Sequence, residues 1–219
     1  MGVARGLERR LERLVDGLAA RLFRGRMHPV ELGSMLVREA DLALVDGPAG
    51  PSAPNRYRIT MGGDPVDPEV LETVTDEQEA FVEDAAADRG WRLEGPAAVT
   101  LLVSPEMRAG EVTIDTAFGA GSLEPWAVLH PLDPHGEPRN LAPIRCLVGR
   151  SKDTDVQVVS DTVSRTHALI WQEAGAAWVA DLDSSNGTYL NGTRISDPAA
   201  IVSGDVVTFG DVGFTIREP

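Results

Sequence analysis

The chain has 219 residues, which is enough for one large or two small domains that can each bury a hydrophobic core. Hydrophobic residues make up 42% of it and charged residues 25%, an ordinary composition for a soluble globular protein, and no apolar run approaches the roughly 20 residues that a membrane-spanning helix needs. The formal net charge of −14 argues against general affinity for nucleic acid, because a polyanion would be repelled.

A basic amphipathic helix is predicted over residues 5–24. Leucines spaced by three or four residues share one face, and residues 1–26 contain seven arginines against three carboxylates. One interpretation is a helix that lies on an anionic membrane or binds nucleic acid. The interpretation that we favour is a leucine stripe packed in a core or against a second copy, because another helix follows at once. No apolar segment typical of a signal peptide precedes it, so we predict a cytoplasmic protein.

The rest of the first 118 residues alternates between predicted helices and strands. The expected helices cover 29–45 and 68–89, and the expected strands cover 56–61, 97–103 and 111–117. Asp67 is expected to cap the second of these helices, with Pro68 at its first position. The short turn between the last two strands predicts a hairpin. With the order α-α-β-α-β-β, residues 1–118 are predicted to form an α+β domain with its helices on one face of a small sheet.

Short polar clusters separate the predicted strands that follow a brief linker over 119–125. The clusters are Gly149-Arg150, Ser164-Arg165-Thr166-His167, Asp183-Ser184-Ser185-Asn186-Gly187-Thr188 and Asn191-Gly192. They offer two arginines, several hydroxyls and an amide, with Asp183 as the one carboxylate among them. Loops between strands commonly carry function. This mixture of donors suits an anion with several oxygens, such as a phosphate.

The order Gly-Arg, then Ser-Arg-x-His, then Asn-Gly-x-x-x-Asn-Gly resembles the forkhead-associated (FHA) domain, a β-sandwich that recognises phosphothreonine in partner proteins. The resemblance covers roughly Trp126 to Arg217 and implies an all-β FHA sandwich over 126–219. It also implies a set of phosphopeptide-binding residues: Arg150, Ser164, Arg165, Ser185 and Asn186.

The family pattern gives these residues distinct roles. Arg150 and Arg165 would contact the phosphate or the peptide next to it, and Ser164 would donate its hydroxyl to a phosphate oxygen. Asn186 would hold the main chain of the ligand. Ser185 stands where relatives usually have threonine, so it keeps the hydroxyl and loses a methyl group.

The remaining cluster residues are predicted to support the loops. A serine, a histidine and a nearby Asp181 or Asp183 invite a hydrolase interpretation, but no Gly-x-Ser-x-Gly elbow surrounds Ser164. The resemblance instead implies that His167 braces the loops through hydrogen bonds. The turn residues with the same supporting role are Gly149, Gly187, Asn191 and Gly192, and an Asn-Gly pair between apolar strands favours a type I′ hairpin. No metal-ligand spacing or nucleotide-binding loop is present, so we predict no metal, no cofactor and no enzyme activity.

The first half of the chain carries a second, shorter resemblance. Its element order and the motif Asn55-Arg56-Tyr57 resemble the N-terminal domain of actinobacterial FhaA-like proteins, which pair it with an FHA domain. That resemblance implies links to Ser/Thr-kinase signalling, to cell-wall synthesis or division control, and to recruitment by membrane-associated cell-wall proteins. The leading hypothesis is a non-catalytic adaptor that binds a phosphothreonine-bearing protein downstream of a Ser/Thr protein kinase. The alternatives are an enzyme targeted by its FHA domain and a membrane-surface or nucleic-acid module built on the basic helix.

Overall fold

The computed structural model describes residues 29–219, so the predicted helix over 5–24 lies outside the described residues. The chain divides into two compact units. Unit 1 contains the described residues up to Val45, together with Ala53–Ala86 and Leu93–Gly121. Unit 2 contains Asp46–Ser52, Ala87–Arg92 and Ser122–Pro219. Two segments that the sequence placed in the N-terminal domain, 46–52 and 87–92, therefore belong to the second unit.

Within residues 29–118 the predicted helices and strands are present, with small shifts at their ends. The helices are α1 (Pro29–Leu42) and α2 (Pro68–Arg89), and the strands are β1 (Val45–Gly47), β2 (Gly50–Ser52), β3 (Arg56–Gly62), β4 (Ala98–Ser104) and β5 (Val112–Ala117). The sequence did not predict β1 and β2, two short strands that follow α1. The Asp67 carboxylate accepts a hydrogen bond from the backbone N–H of Glu69 at 3.0 Å, which caps α2 as predicted.

The predicted hairpin between β4 and β5 is wrong. The three strands lie in the order β4-β3-β5, with β4 parallel and β5 antiparallel to the central strand. The segment between them instead crosses the end of β3, where Gly62 donates to the carbonyl of Glu111 at 2.9 Å and Gly63 donates to that of Ser104 at 3.2 Å. A side chain at Gly62 would overlap the carbonyl oxygen of Arg108, so glycine allows this crossing.

The helices of unit 1 cover one face of this sheet and its open edge. Leu32, Leu36 and Ile59 are fully buried between them. The edge strand β4 would expose unpaired N–H groups, but Glu79 and Glu83 of α2 accept hydrogen bonds from Val99 and Ala97, each at 2.9 Å. These carboxylates satisfy an edge that could otherwise pair with another chain.

Asn55 connects three segments at the other end of the sheet. Its side-chain amide donates to the carbonyls of Pro96 at 3.0 Å and Gly119 at 2.8 Å, and its Oδ1 accepts from the N–H of Gly119 at 2.8 Å. The side chain is buried. This network gives the Asn55-Arg56-Tyr57 motif a structural role, because loss of a buried amide would leave several main-chain groups without partners.

Unit 2 contains a β-sandwich of two sheets. Its strands are β6 (Ala127–Pro131), β7 (Arg139–Leu141), β8 (Arg145–Gly149), β9 (Val156–Gln157), β10 (Ala168–Glu173), β11 (Ala176–Asp181), β12 (Thr188–Leu190), β13 (Thr193–Arg194), β14 (Ala199–Ile201), β15 (Val206–Phe209) and β16 (Val212–Arg217). The sheets have the orders β14-β11-β10-β8-β9 and β13-β12-β15-β16-β6-β7. Ile170, Phe209 and the single cysteine, Cys146, lie fully buried in the core between them.

The outer face of the first sheet is also covered. Alternate residues of β8 and β10 point away from the core, and among them Leu147, Leu169 and Trp171 form a second apolar cluster with Ala49. Trp171 stacks on its cross-strand neighbour Trp178, with ring centroids 6.3 Å apart. Ala49 belongs to the β1–β2 hairpin, so a segment far away in sequence completes this layer of unit 2.

Two arginines attach the distant segments to β8. The Arg145 guanidinium donates to the carbonyl of Ala49 and, at 3.2 Å, to that of Gly90, and it lies 5.3 Å from the Trp171 ring centroid. Arg92 forms a bidentate pair with Asp155 at 2.8 and 2.9 Å and also donates to the carbonyl of Arg145 at 2.6 Å. Bidentate arginine–carboxylate pairs are among the stronger polar contacts.

Candidate functional site

Three of the four polar clusters identified in the sequence, those that contain Arg150, Ser164 and Ser185, meet at one end of the sandwich in unit 2. They surround an open cavity of about 660 Å³. Its lining residues are Pro48, Leu147, Arg150, Ser151, Asp153, Thr154, Ser164, Arg165, Thr166 and Ser185. Four of the five predicted phosphopeptide-binding residues are therefore brought together, although the loops that carry them are up to 35 positions apart in the chain.

Main-chain hydrogen bonds join the first two loops of the site. Arg150 donates to the carbonyl of Ser164 at 3.0 Å, and Ser151 donates to that of Arg165 at 3.2 Å. Gly149 precedes them at the end of β8, and a Cβ there would overlap the Arg165 carbonyl. The glycine is needed because the two backbones approach closely. The loops therefore present Arg150 and Arg165 from a fixed backbone.

His167 links the second loop to the third. Its Nδ1 accepts a hydrogen bond from the Ser164 N–H at 3.0 Å, and its Nε2 lies 3.2 Å from the Gly187 carbonyl. The ring is therefore neutral, with the proton on Nε2. Burial lowers the pKa of His167 and outweighs the opposing effects of Gly187 and Asp181. With both nitrogens bound to main-chain groups, His167 is not placed as a base for the Ser164 hydroxyl.

The depressed pKa of His167 predicts that stability decreases as pH falls below about 6.5, the ordinary histidine pKa. In the window between this value and the lower folded pKa, the unfolded chain binds a proton that the folded chain does not, so acidification favours unfolding. Urea denaturation midpoints measured from pH 7.5 to 5.5 should decrease for the wild type and change less for His167→Gln. The exposed His135→Gln variant is the control. A His167→Gln variant with the wild-type pH dependence would contradict this assignment.

Asp181 organises the third loop, a role that the sequence did not reveal. Its carboxylate accepts hydrogen bonds from the Ser184 hydroxyl at 2.6 Å, the Ser184 N–H at 3.0 Å and the Thr188 hydroxyl at 2.7 Å. The Ser184 hydroxyl in turn accepts from the Gly187 N–H at 2.9 Å. Burial alone would raise the pKa of Asp181, but these hydrogen bonds and His167 lower it. The one signal in the sequence that could have revealed this role is the spacing Asp-x-x-Ser-x-x-Gly of Asp181, Ser184 and Gly187.

The third loop supplies Ser185 and Asn186. The Ser185 N–H donates to the Ser164 Oγ at 3.1 Å, so the Ser164 hydroxyl accepts one bond within the protein and retains its own proton for donation. Asn186 does not line the cavity. It is exposed beside it, and its Nδ2 donates to the Thr162 carbonyl at 2.7 Å. This bond fixes the amide between two loops.

The charge around the cavity differs from that of the chain as a whole. Arg150 and Arg165 contribute two guanidinium groups, whereas Asp153 contributes one carboxylate, which accepts a hydrogen bond from Ser151 at 3.1 Å. Asp183, the carboxylate noted in the sequence, is not among the lining residues. A cavity with net positive charge on a chain of net charge −14 favours a small, highly charged anion.

Comparison with known proteins identifies both halves of the chain. Residues 5–115, about half of the chain, match the family described as the FhaA N-terminal domain. The chain belongs to this family. Residues 146–210 match the FHA domain, so the β-sandwich of unit 2 is an FHA domain.

Relatives that match the FHA domain include two mycobacterial regulators. The glycogen accumulation regulator GarA of Mycolicibacterium smegmatis is 42% identical over 62 residues, which are 28% of this chain and 39% of GarA. The transcriptional regulatory protein EmbR of Mycobacterium tuberculosis is 33% identical over 111 residues, 50% of this chain and 28% of EmbR. The FhaA FHA domain, solved in complex with the intracellular domain of Rv3910, is 28% identical and aligns with 42% of this chain and 99% of that one, at a TM-score of 0.39. The chain spans less than half the length of the curated relatives that it matches.

Three predicted turn residues of the FHA domain, Gly187, Asn191 and Gly192, do not line the cavity and lie at the two ends of strand β12. Asn191 and Gly192 have φ values of 50° and 81°, as a type I′ turn requires. Asn191 also donates to Asp205 and accepts from the Val206 N–H, both at 2.9 Å. Gly187 has a φ of 82°, and a Cβ there would lie 2.5 Å from the Arg194 guanidinium. These residues hold the hairpin that follows the third loop.

Residues 29–219 contain neither a membrane-spanning helix nor a cluster of metal-ligating side chains. Neither described helix is long and apolar enough to cross a membrane. In the same part of the chain, no cluster of three or more His, Cys, Asp or Glu side chains could hold a metal ion.

Proposed function

We propose that the chain is a non-catalytic signalling adaptor whose FHA domain binds phosphothreonine in a partner protein. The observation that carries the proposal is the single cavity at which Arg150, Arg165, Ser164 and Ser185 converge. Phosphothreonine carries about −1.5 to −2 charges near pH 7 and three strong acceptor oxygens. Two guanidinium groups and two hydroxyls provide donors for such a group, and hydrogen bonds to charged groups are stronger than neutral ones.

Each predicted residue keeps a specific role in this proposal. Arg150 and Arg165 neutralise the phosphate, the hydroxyls of Ser164 and Ser185 donate to its oxygens, and Asn186 binds the ligand's main chain from beside the cavity. Because loop-to-loop hydrogen bonds already fix the backbone, little ordering is required when the ligand binds. The site is therefore preorganised for an extended phosphorylated segment.

The source of the ligand follows from its chemistry. Phosphothreonine in a protein is made by a Ser/Thr protein kinase, so we place the chain downstream of such a kinase. The link to cell-wall synthesis or division control, and recruitment to the membrane by a partner, come from the resemblance of the first half to FhaA-like proteins. Interaction of the basic residues 5–24 with membranes or nucleic acid stays a prediction, because these residues lie outside the described part of the chain.

The decisive experiment compares capture of partners with and without phosphate. The full chain is used as bait in a kinase-competent lysate, half of which has been treated with phosphatase. Captured segments are then synthesised with Thr, phosphothreonine or phosphoserine and titrated by calorimetry. We expect capture only from the untreated half and binding of the phosphothreonine peptide alone or most tightly. Equal capture from both halves, or equal affinity for the Thr peptide, would refute the proposal.

A further inference from the structure

The cavity is larger than a phosphate group needs. Its volume of about 660 Å³ falls within the roughly 300–1,000 Å³ of pockets that enclose drug-sized ligands. The phosphate-binding side chains account for part of the lining. Pro48 and Leu147 supply an apolar part, and Pro48 comes from the β1–β2 hairpin rather than from the residues matched to the FHA family.

The hairpin that carries Pro48 is held in a fixed position. Its next residue, Ala49, is buried in the apolar cluster with Leu147, and the Ala49 carbonyl accepts a hydrogen bond from the Arg145 guanidinium. Gly50 follows with a φ of 98°, and a Cβ on it would lie 2.8 Å from the Arg145 Nε. Pro48 itself is exposed at the tip. The hairpin thus presents a rigid apolar ring to the cavity.

Three polar side chains that also line the cavity, Ser151, Asp153 and Thr154, already have hydrogen-bond partners within the protein. The Thr154 hydroxyl donates to the Ser151 carbonyl at 2.8 Å, and the Ser151 hydroxyl donates to Asp153 at 3.1 Å. These hydroxyls are therefore poorly placed to donate a further hydrogen bond to a polar group of the ligand. An apolar ligand side chain that covers the exposed ring of Pro48 would instead be removed from water together with that ring, and the buried Leu147 would add a small contact beside it.

We propose that Pro48 is a specificity-determining residue, which together with Leu147 receives an aliphatic side chain flanking the phosphothreonine of the ligand. The inference rests on the proposed function and deepens it. It makes the 46–52 hairpin a part of the recognition surface, so peptide selection by this chain depends on a segment outside the FHA-matched residues.

The test is a library of phosphothreonine peptides in which each flanking position is randomised, bound to the full chain. The wild type should enrich aliphatic residues at one flanking position. Pro48→Ser should remove this enrichment and weaken the best aliphatic peptide by roughly threefold to tenfold, the effect of partly burying one side chain. Dependence on the phosphate should remain. Pro51→Ser, the same change in the same hairpin at a residue that does not line the cavity, should behave like the wild type.

The outcomes separate the two proposals. Phosphate-dependent binding without aliphatic enrichment would refute the role of the hairpin and leave the proposed function standing. Enrichment that is unchanged in Pro48→Ser, or is lost equally in Pro51→Ser, would also refute it. If the wild type bound no phosphorylated peptide, both the proposed function and the role of the hairpin would be refuted.

Discussion

Arg150→Ala is expected to weaken binding of a phosphothreonine peptide at least tenfold and to leave the stability of the protein unchanged. The residue is exposed at the cavity and, within residues 29–219, its guanidinium forms no ion pair. Each hydrogen bond to a charged group contributes about 1.5–3 kcal/mol. Since about 1.4 kcal/mol corresponds to tenfold in affinity, loss of one such bond is sufficient. Calorimetric titration of the full chain measures the change, and thermal unfolding checks the stability.

Lys152→Ala is the matched control for this prediction. Lys152 lies in the same loop and carries the same charge, but it is exposed and does not line the cavity. Its removal should change affinity little, because Lys152 has no direct contact with a ligand in the cavity and its longer-range attraction is screened by salt. Arg150→Lys should fall between alanine and the wild type, because lysine retains the charge and loses the planar, bidentate donor geometry. Equal losses in Arg150→Ala and Lys152→Ala would indicate general electrostatic attraction in place of a specific contact.

The sequence indicated which loops meet at the cavity better than it indicated the full lining of the cavity. Glycine, arginine, serine and asparagine at fixed loop positions are chemically recognisable, and Arg150, Ser164 and Ser185 do line one cavity. Pro48 was missed because its participation depends on a contact that spans about 100 residues of sequence. The sequence suggested Asp181 as a hydrolase partner and not as a residue that braces a turn, because the spacing of Asp181, Ser184 and Thr188 does not by itself show that the turn brings the two hydroxyls to the carboxylate.

The pairing of strands also could not be predicted from local sequence patterns. β4 and β5 were expected to pair because they are close in sequence, but both pair with β3, which occupies the centre of the sheet. The run Ala168-Leu169-Ile170-Trp171 is apolar at every position, which is typical of a strand buried on both faces. The sequence therefore contained evidence for a second covered face. It contained no evidence that Ala49 of the 46–52 hairpin provides that cover, or that residues 87–92 form hydrogen bonds and an ion pair with the same unit.

This second covered face leads to the other large expected effect: an isolated fragment of residues 122–219 should be much less stable than the same unit in the full chain. The fragment lacks Ala49 and exposes Leu147, Leu169 and Trp171 to water. Full burial of a large apolar side chain stabilises a protein by about 1.5–3 kcal/mol. Exposure equivalent to two such side chains would cost roughly 3–6 kcal/mol, a large part of the about 5–15 kcal/mol typical of a domain.

The polar contacts of the missing segments add to this cost. Without Arg92, Asp155 keeps its hydrogen bond from the Leu147 N–H at 2.8 Å but loses its bidentate partner. Without the carbonyls of Ala49 and Gly90, the half-buried Arg145 loses two acceptors. Burial already lowers the pKa of Arg145, which reflects the cost of desolvating its charge. The fragment therefore loses apolar cover and leaves charged groups poorly satisfied on the same face.

Urea denaturation of the fragment and the full chain, followed by circular dichroism, measures the difference in stability. Binding of a hydrophobic dye reports the exposed apolar face. Arg92→Ala in the full chain removes the side-chain contacts of the 87–92 segment with Asp155 and should cost about 1.5–3 kcal/mol. Arg139→Ala, which breaks the exposed pair with Glu137, is the matched control and should cost about 0–1 kcal/mol. A fragment that unfolds at the same urea concentration as the full chain and binds no dye would show that the two distant segments are dispensable. In that case the fixed position of Pro48, and the selection of a flanking aliphatic residue that depends on it, would lose their structural basis.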